Sequence, residues 1–201
     1  AWAGLLVLGF TILNALAMRT VFSPVQDTAK AELRLDDFQI SLVQGLAASI
    51  PIAVLSLPLG RLTDRGNRMR LLLALGMTWT IGTIATAFVT EFYGLFIARM
   101  LASVGAFCAI PVAISIAADL SPPDQRGRSL LLLSLGNMIG VAAAFAFGGA
   151  ALGALETAPL IPGLSAWRGV HLVFAAASLA LLVPLLLMRE PVRREIAEDA
   201  N

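Results

Sequence analysis

Two arginines interrupt otherwise apolar runs of this 201-residue chain, Arg19 within Ala3–Phe22 and Arg99 within Phe92–Ala117. A guanidinium in hydrocarbon costs several kcal/mol unless it meets a polar partner or a watery cavity. Snorkelling of the long stem toward headgroups is the plain alternative, and it suits Arg19 better than Arg99, which lies on the order of 12 Å below the start of its helix by the helical rise. None of the apolar runs holds an Asp or Glu. Two cations without an internal carboxylate can hold an anionic group, either of a solute or of a carboxylate from outside the chain. Catalytic chemistry finds no support, because phosphate-binding loops, dinucleotide fingerprints, nucleophile elbows and zinc-protease motifs are all missing. A single cysteine, Cys108, and a single histidine, His171, leave no structural zinc site, intrachain disulfide or multi-histidine metal centre. No metal and no cofactor are expected. Cys108 reads as a small apolar packing residue, and His171 as a hydrogen-bonded filler with titration left open.

The remaining basic residues fall at the ends of the runs. Arg61, Arg65, Arg68 and Arg70 form one break, Arg126 and Arg128 another, and Arg189, Arg193 and Arg194 follow the last run. Lys30, Arg34 and Arg168 fall on the opposite side. The excess of basic residues marks the cytoplasmic side, so both termini are expected in the cytoplasm.

What must position these charges is a membrane bundle. The hydrophobic fraction is 58% and the charged fraction only 13%, about half the charge of an ordinary soluble domain. A formal net charge of +1 excludes the basic excess of a nucleic-acid binder. Crossing a hydrocarbon core takes roughly 20 apolar residues per helix, and six such segments are found: Ala3–Phe22, Gln39–Leu59, Met69–Val89, Phe92–Ala117, Ser129–Leu152 and Val170–Met188. They are too long for strands and show no period of two, so the expected fold is an all-α integral membrane bundle. Asp36 stands three residues before Gln39 and predicts a capping box. Ala15-Leu16-Ala17 has the form of a signal-peptide cleavage site, against which stand the long apolar run and the lack of a basic leader.

Small residues recur in the helices. Gly136 and Gly140 have the spacing that lets two backbones approach closely, Gly148-Gly149 follow, and Pro51, Pro58, Pro111 and Pro184 can kink their helices. Trp2 and Trp167-Arg168 read as anchors at the membrane interface.

The break Gly60-Arg61-Leu62-Thr63-Asp64-Arg65-Gly66-Asn67-Arg68-Met69-Arg70 resembles the signature between helices two and three of the major facilitator superfamily. Within it, Gly60 is expected to permit a close helix contact, and Asn67 stands where many members have Gly, as a residue that tolerates a left-handed turn. Arg99 with Gly105 resembles the fourth-helix motif, and Asp119-Leu120-Ser121-Pro122-Pro123 with Arg126-Gly127 the loop after it. Trp167-Arg168 resembles the start of helix six. Together with Arg189-Glu190-Pro191-Val192-Arg193, these motifs are most similar to the Spinster-like branch. The resemblance implies an N-terminal six-helix half, residues 1–201, built from inverted three-helix repeats, with residues 189–201 opening a cytoplasmic linker. It implies a missing C-terminal half, or a second copy, as partner. By resemblance, Arg19 and Arg99 line the central cavity and bind solute. Gly60, Asp64, Arg65, Arg68, Asp119 and Arg126 form a gating network, and Gly105, Gly136 and Gly140 pack helices.

The implied function is secondary active or facilitative transport of a small amphipathic or anionic solute, lipid-like in the Spinster-like branch, by alternating access across a bacterial inner (plasma) membrane. Two acids common in that branch are replaced here by Met18 and Ala106, so proton coupling through them is not expected, and Val141 after Gly140 departs from the antiporter motif. A non-transporting receptor or assembly module is the alternative, and a membrane enzyme a remote third.

Overall fold

The computed structural model describes residues 2–192, and among them every regular element is helical. The expected linker residues 193–201, with Arg193 and Arg194, lie outside the described residues. Six spans are long and apolar enough to cross a membrane. The first comprises α1 (Trp2–Thr20), a short turn of helix at Ser23–Val25 and α2 (Gln26–Leu33); the second comprises α3 (Asp37–Gln44) and α4 (Leu46–Arg65). The remaining four are α5 (Arg68–Phe88), α6 (Phe92–Leu120), α7 (Arg126–Thr157) and α8 (Ala166–Leu187).

Local chemistry sets the ends. Asp36 accepts from the Gln39 amide at 2.7 Å while the Gln39 side chain accepts from the Asp36 amide at 3.1 Å, the reciprocal box predicted from their spacing. Pro24 has no N–H to offer the Thr20 carbonyl, so α1 stops there. The polar helix α2 then carries the span on to Leu33, which sets Arg19 deeper than the end of its apolar run suggested. At the α4–α5 break, Asn67 keeps a negative φ of −77° and caps α5 by accepting from the Arg70 amide at 2.8 Å. The left-handed turn expected of Asn67 is therefore replaced by an N-cap, the other role that suits a short amide side chain.

α1 packs on α6, α7 and α8, α5 on α6 and α8, and α4 on α6. The approaches are close where the side chain is missing. A Cβ on Gly105 would stand 2.5 Å from the Leu75 carbonyl oxygen and 2.7 Å from the Trp79 nitrogen, and Cβ atoms on Gly136 and Gly140 would overlap the carbonyls of Gly9 and Leu13. Gly60 differs: a Cβ there meets nothing within 4 Å, so the close helix contact expected of it is not made in this chain. At the centre, Ser178 of α8 accepts from the Trp79 indole at 3.0 Å, pairs with the Thr80 hydroxyl at 2.7 Å and takes the Asn14 amide on its carbonyl at 3.3 Å. The spans of α4 and α7 are the least enclosed, with 22% of each apolar window buried against 67% in the first span.

Leucine at Gly105 should force α5 and α6 apart and cost about 1–3 kcal/mol of stability, whereas Gly60→Ala should stay within about 0.5 kcal/mol. Thermal unfolding of the detergent-solubilised protein, followed by tryptophan fluorescence, would check both.

Candidate functional site

α1 ends with carbonyls that lack helical partners. Val21 takes the Ala17 carbonyl at 2.8 Å, and Arg99 from α6 donates to the carbonyl of Met18 at 3.4 Å and to that of Arg19. The guanidinium also lies 5.4 Å from the centre of the Phe22 ring, and the residue is only 3% exposed. A cation at the negative end of a helix is stabilised by the same dipole that leaves those carbonyls unpaired. The sequence reading left both arginines without internal partners. For Arg99 that is corrected, since backbone oxygen satisfies it.

Arg19 is placed differently. Its guanidinium stacks over the Phe107 ring at 4.1 Å, and its side chain is half-buried. Arg19 and Arg99 line one cavity of about 230 Å³ together with Ser23, Gln44, Ser103 and Val141. Phe107, on which Arg19 stacks, lines a larger cavity of about 440 Å³ between α4 and α6 with Cys108, Gly60, Asp64 and Ser115. Arg19 thus stands where a polar cavity meets an apolar one.

At the basic end, Arg68 is 3% exposed and pairs with Asp119 at 2.5 Å. It also pairs with Glu190 at 3.1 Å and donates to the Ser115 hydroxyl at 3.0 Å. The start of α5, the end of α6 and the segment after α8 are thereby tied together. Sequence reading missed Glu190 as a member, although its place in the Arg189-Glu190-Pro191 run was visible. Of the other residues expected there, Asp64 and Arg65 are exposed at the end of α4. Arg126 opens α7 with its buried Nε lacking a hydrogen-bond partner among the described residues.

The opposite end has its own clamp. Glu32 of α2 accepts from the Trp167 indole at 2.6 Å and from Arg168 at 3.0 Å, and Arg168 also donates to the Ala87 carbonyl at 2.9 Å. Trp167 is fully buried, so the expected interface anchor is instead a packed strut, while Trp2 is exposed. His171 is fully buried as well, its Nδ1 2.8 Å from the Trp167 carbonyl and its Nε2 without a hydrogen-bond partner among the described residues. Among the described residues no group of His, Cys, Asp and Glu could hold a metal ion.

This six-helix arrangement has known relatives. The family model of the Major Facilitator Superfamily matches residues 7–200. The chain belongs to the major facilitator superfamily. With its six long apolar helices, it is an integral membrane protein. The facilitator fold is shared with the crystal structure of a bacterial homologue of the human lysosomal transporter Spinster. In its inward-facing, occupied form that structure superimposes with a TM-score of 0.86 at 27% identity, covering 94% of this chain and 44% of that one. A 3-(3-hydroxy-phenyl)propionate transporter of Escherichia coli (strain K12) is 31% identical over 153 residues, 70% of this chain and 37% of the relative. An efflux pump of the same family from Mycolicibacterium smegmatis is 24% identical over 98% of this chain and 43% of its own length. This facilitator chain therefore spans less than half the length of these relatives, which are transporters rather than enzymes.

Removing one partner of a buried ion pair strands the other charge. Arg68→Ala should cost about 3–5 kcal/mol, and adding Asp119→Ala should recover part of that loss. A double-mutant cycle on thermal unfolding would measure the coupling; additive losses would refute it.

Proposed function

We propose that this chain is the first six-helix half of a secondary transporter and supplies the cationic wall of its solute cavity. The solute is a small amphipathic or anionic molecule moved by alternating access across a bacterial inner membrane. Arg19 binds its anionic end, and Arg99 holds the wall while lending its charge to the same cavity. The single observation that carries this reading is that both arginines line one cavity while, among the described residues, backbone carbonyls engage Arg99 and not Arg19. The name of the Escherichia coli relative, a transporter of an aryl carboxylate, supports a carboxylate as the anion. A guanidinium fork suits a carboxylate geometrically, and the apolar cavity past Phe107 suits a hydrocarbon body.

Arg68, Asp119 and Glu190 close the basic end, which the excess of arginine assigns to the cytoplasm together with both termini. Gly60, Asp64, Arg65 and Arg126, left exposed or half-buried on that end, make the gate together with a second half. Gly105, Gly136 and Gly140 keep the helices close enough to move as one body.

The two arginines should respond differently in the natural gene product reconstituted in liposomes. Arg19→Gln should raise the KM for 3-(3-hydroxyphenyl)propionate uptake roughly 30-fold, the loss of about 2 kcal/mol for a charged hydrogen bond, with little change in thermal stability. Arg99→Ala should sharply reduce uptake and also lower stability by about 1–3 kcal/mol, while membrane insertion stays intact. Unchanged uptake in both variants would overturn the cavity assignment, and binding without flux in the parent would favour a receptor.

A further inference from the structure

A second cavity borders α7 near the arginine cavity. On α7, Asn137 stands four residues from Val141, about 6 Å along the axis, and Val141 lines the cavity shared by Arg19 and Arg99. Asn137 and Ser134 border a neighbouring cavity of about 270 Å³, whose other walls are apolar: Ile12 of α1, Ile110 and Ile114 of α6, and Leu130 and Leu133 of α7. Both polar residues are exposed. The other asparagine within the spans, Asn14, is fully buried and donates to the Ser178 carbonyl, so its amide serves packing. Asn137 has a different situation. It is exposed and faces a cavity whose other walls are apolar, so a solute that fills this cavity and offers the amide no partner costs about 1–3 kcal/mol.

We propose that Asn137, with the Ser134 hydroxyl beside it, is a second and uncharged subsite that hydrogen-bonds a hydroxyl or carbonyl on the body of the solute. This rests on the reading of Arg19 as the residue that holds the anionic end. A carboxamide both donates and accepts, so it takes either group and confers no preference for charge. The offset of about 6 Å along α7 puts Asn137 one helical turn from Val141 of the arginine cavity. Ile12, Ile110 and Ile114, which line the same cavity as Asn137, offer an apolar surface beside the recognised group, which suits a ring or short chain. A site that hydrogen-bonds a hydroxyl rejects the analogue lacking it, because its own polar group is left unpaired.

Two probes that differ by one hydroxyl test this: 3-(3-hydroxyphenyl)propionate and 3-phenylpropionate, taken up by the natural gene product in liposomes. The expected kcat/KM favours the hydroxylated compound by about tenfold or more, and Asn137→Leu brings the ratio to within about twofold of one by loss of the hydroxylated solute. An unchanged ratio in Asn137→Leu, with both compounds still lost in Arg19→Gln, overturns the subsite and leaves the Arg19 reading standing. An equal loss of both compounds in Asn137→Leu assigns the residue to packing and also overturns it. Uptake of neither compound by the parent overturns the Arg19 reading for this solute class and the subsite with it.

Discussion

A guanidinium buried in a membrane helix has to be satisfied by something other than bulk water, and here the open end of another helix does it. Arg99 sits on the Met18 and Arg19 carbonyls because α1 ends at Thr20, and the last carbonyls of a helix have no amide of their own helix to accept from. The consequences spread outward from that contact. Arg99 fixes α6 against α1, Phe22 is held between Arg99 and His171, and the side chain of Arg19 is directed onto Phe107 at the cavity wall. One arginine builds the wall so that the other can face the cavity.

The bundle is tied at both poles by charged clamps. Arg68 with Asp119 and Glu190 joins α5, α6 and the segment after α8 at one end; Glu32 with Trp167 and Arg168 joins α2, α5 and α8 at the other. Between these clamps the glycines at positions 105, 136 and 140 draw α5 to α6 and α1 to α7 at backbone distance. A body held at both ends and tightly packed through its middle is suited to rock as a unit. The spans of α4 and α7 are the least enclosed of the bundle.

Much of this could be read from sequence where the signal is local. Six apolar runs predict six spans because lipid thickness imposes their length, and the Asp36–Gln39 box lies within one helical turn. Contacts remote in sequence were not legible. The partners of Arg99 are backbone carbonyls about 80 residues away, which no side chain advertises. Trp167 looks like an interface residue until Glu32, 135 residues earlier, is found against its indole. Asn67 could have been a left-handed turn or an N-cap, since its side chain suits both, and only the Arg70 amide decides. Gly60 is spaced for a helix contact that this chain does not supply, and nothing in its neighbours says so.

The most direct measurement of the field around Arg19 uses Gln44, which lines the same cavity. In the natural gene product carrying Cys108→Ser and Gln44→Cys, the reaction rates of an anionic and a cationic methanethiosulfonate reagent would be compared. A cavity whose free charge is the Arg19 guanidinium should react about tenfold faster with the anionic reagent, and Arg19→Gln should remove that preference. Equal rates for the two reagents, or a preference that survives Arg19→Gln, would contradict it.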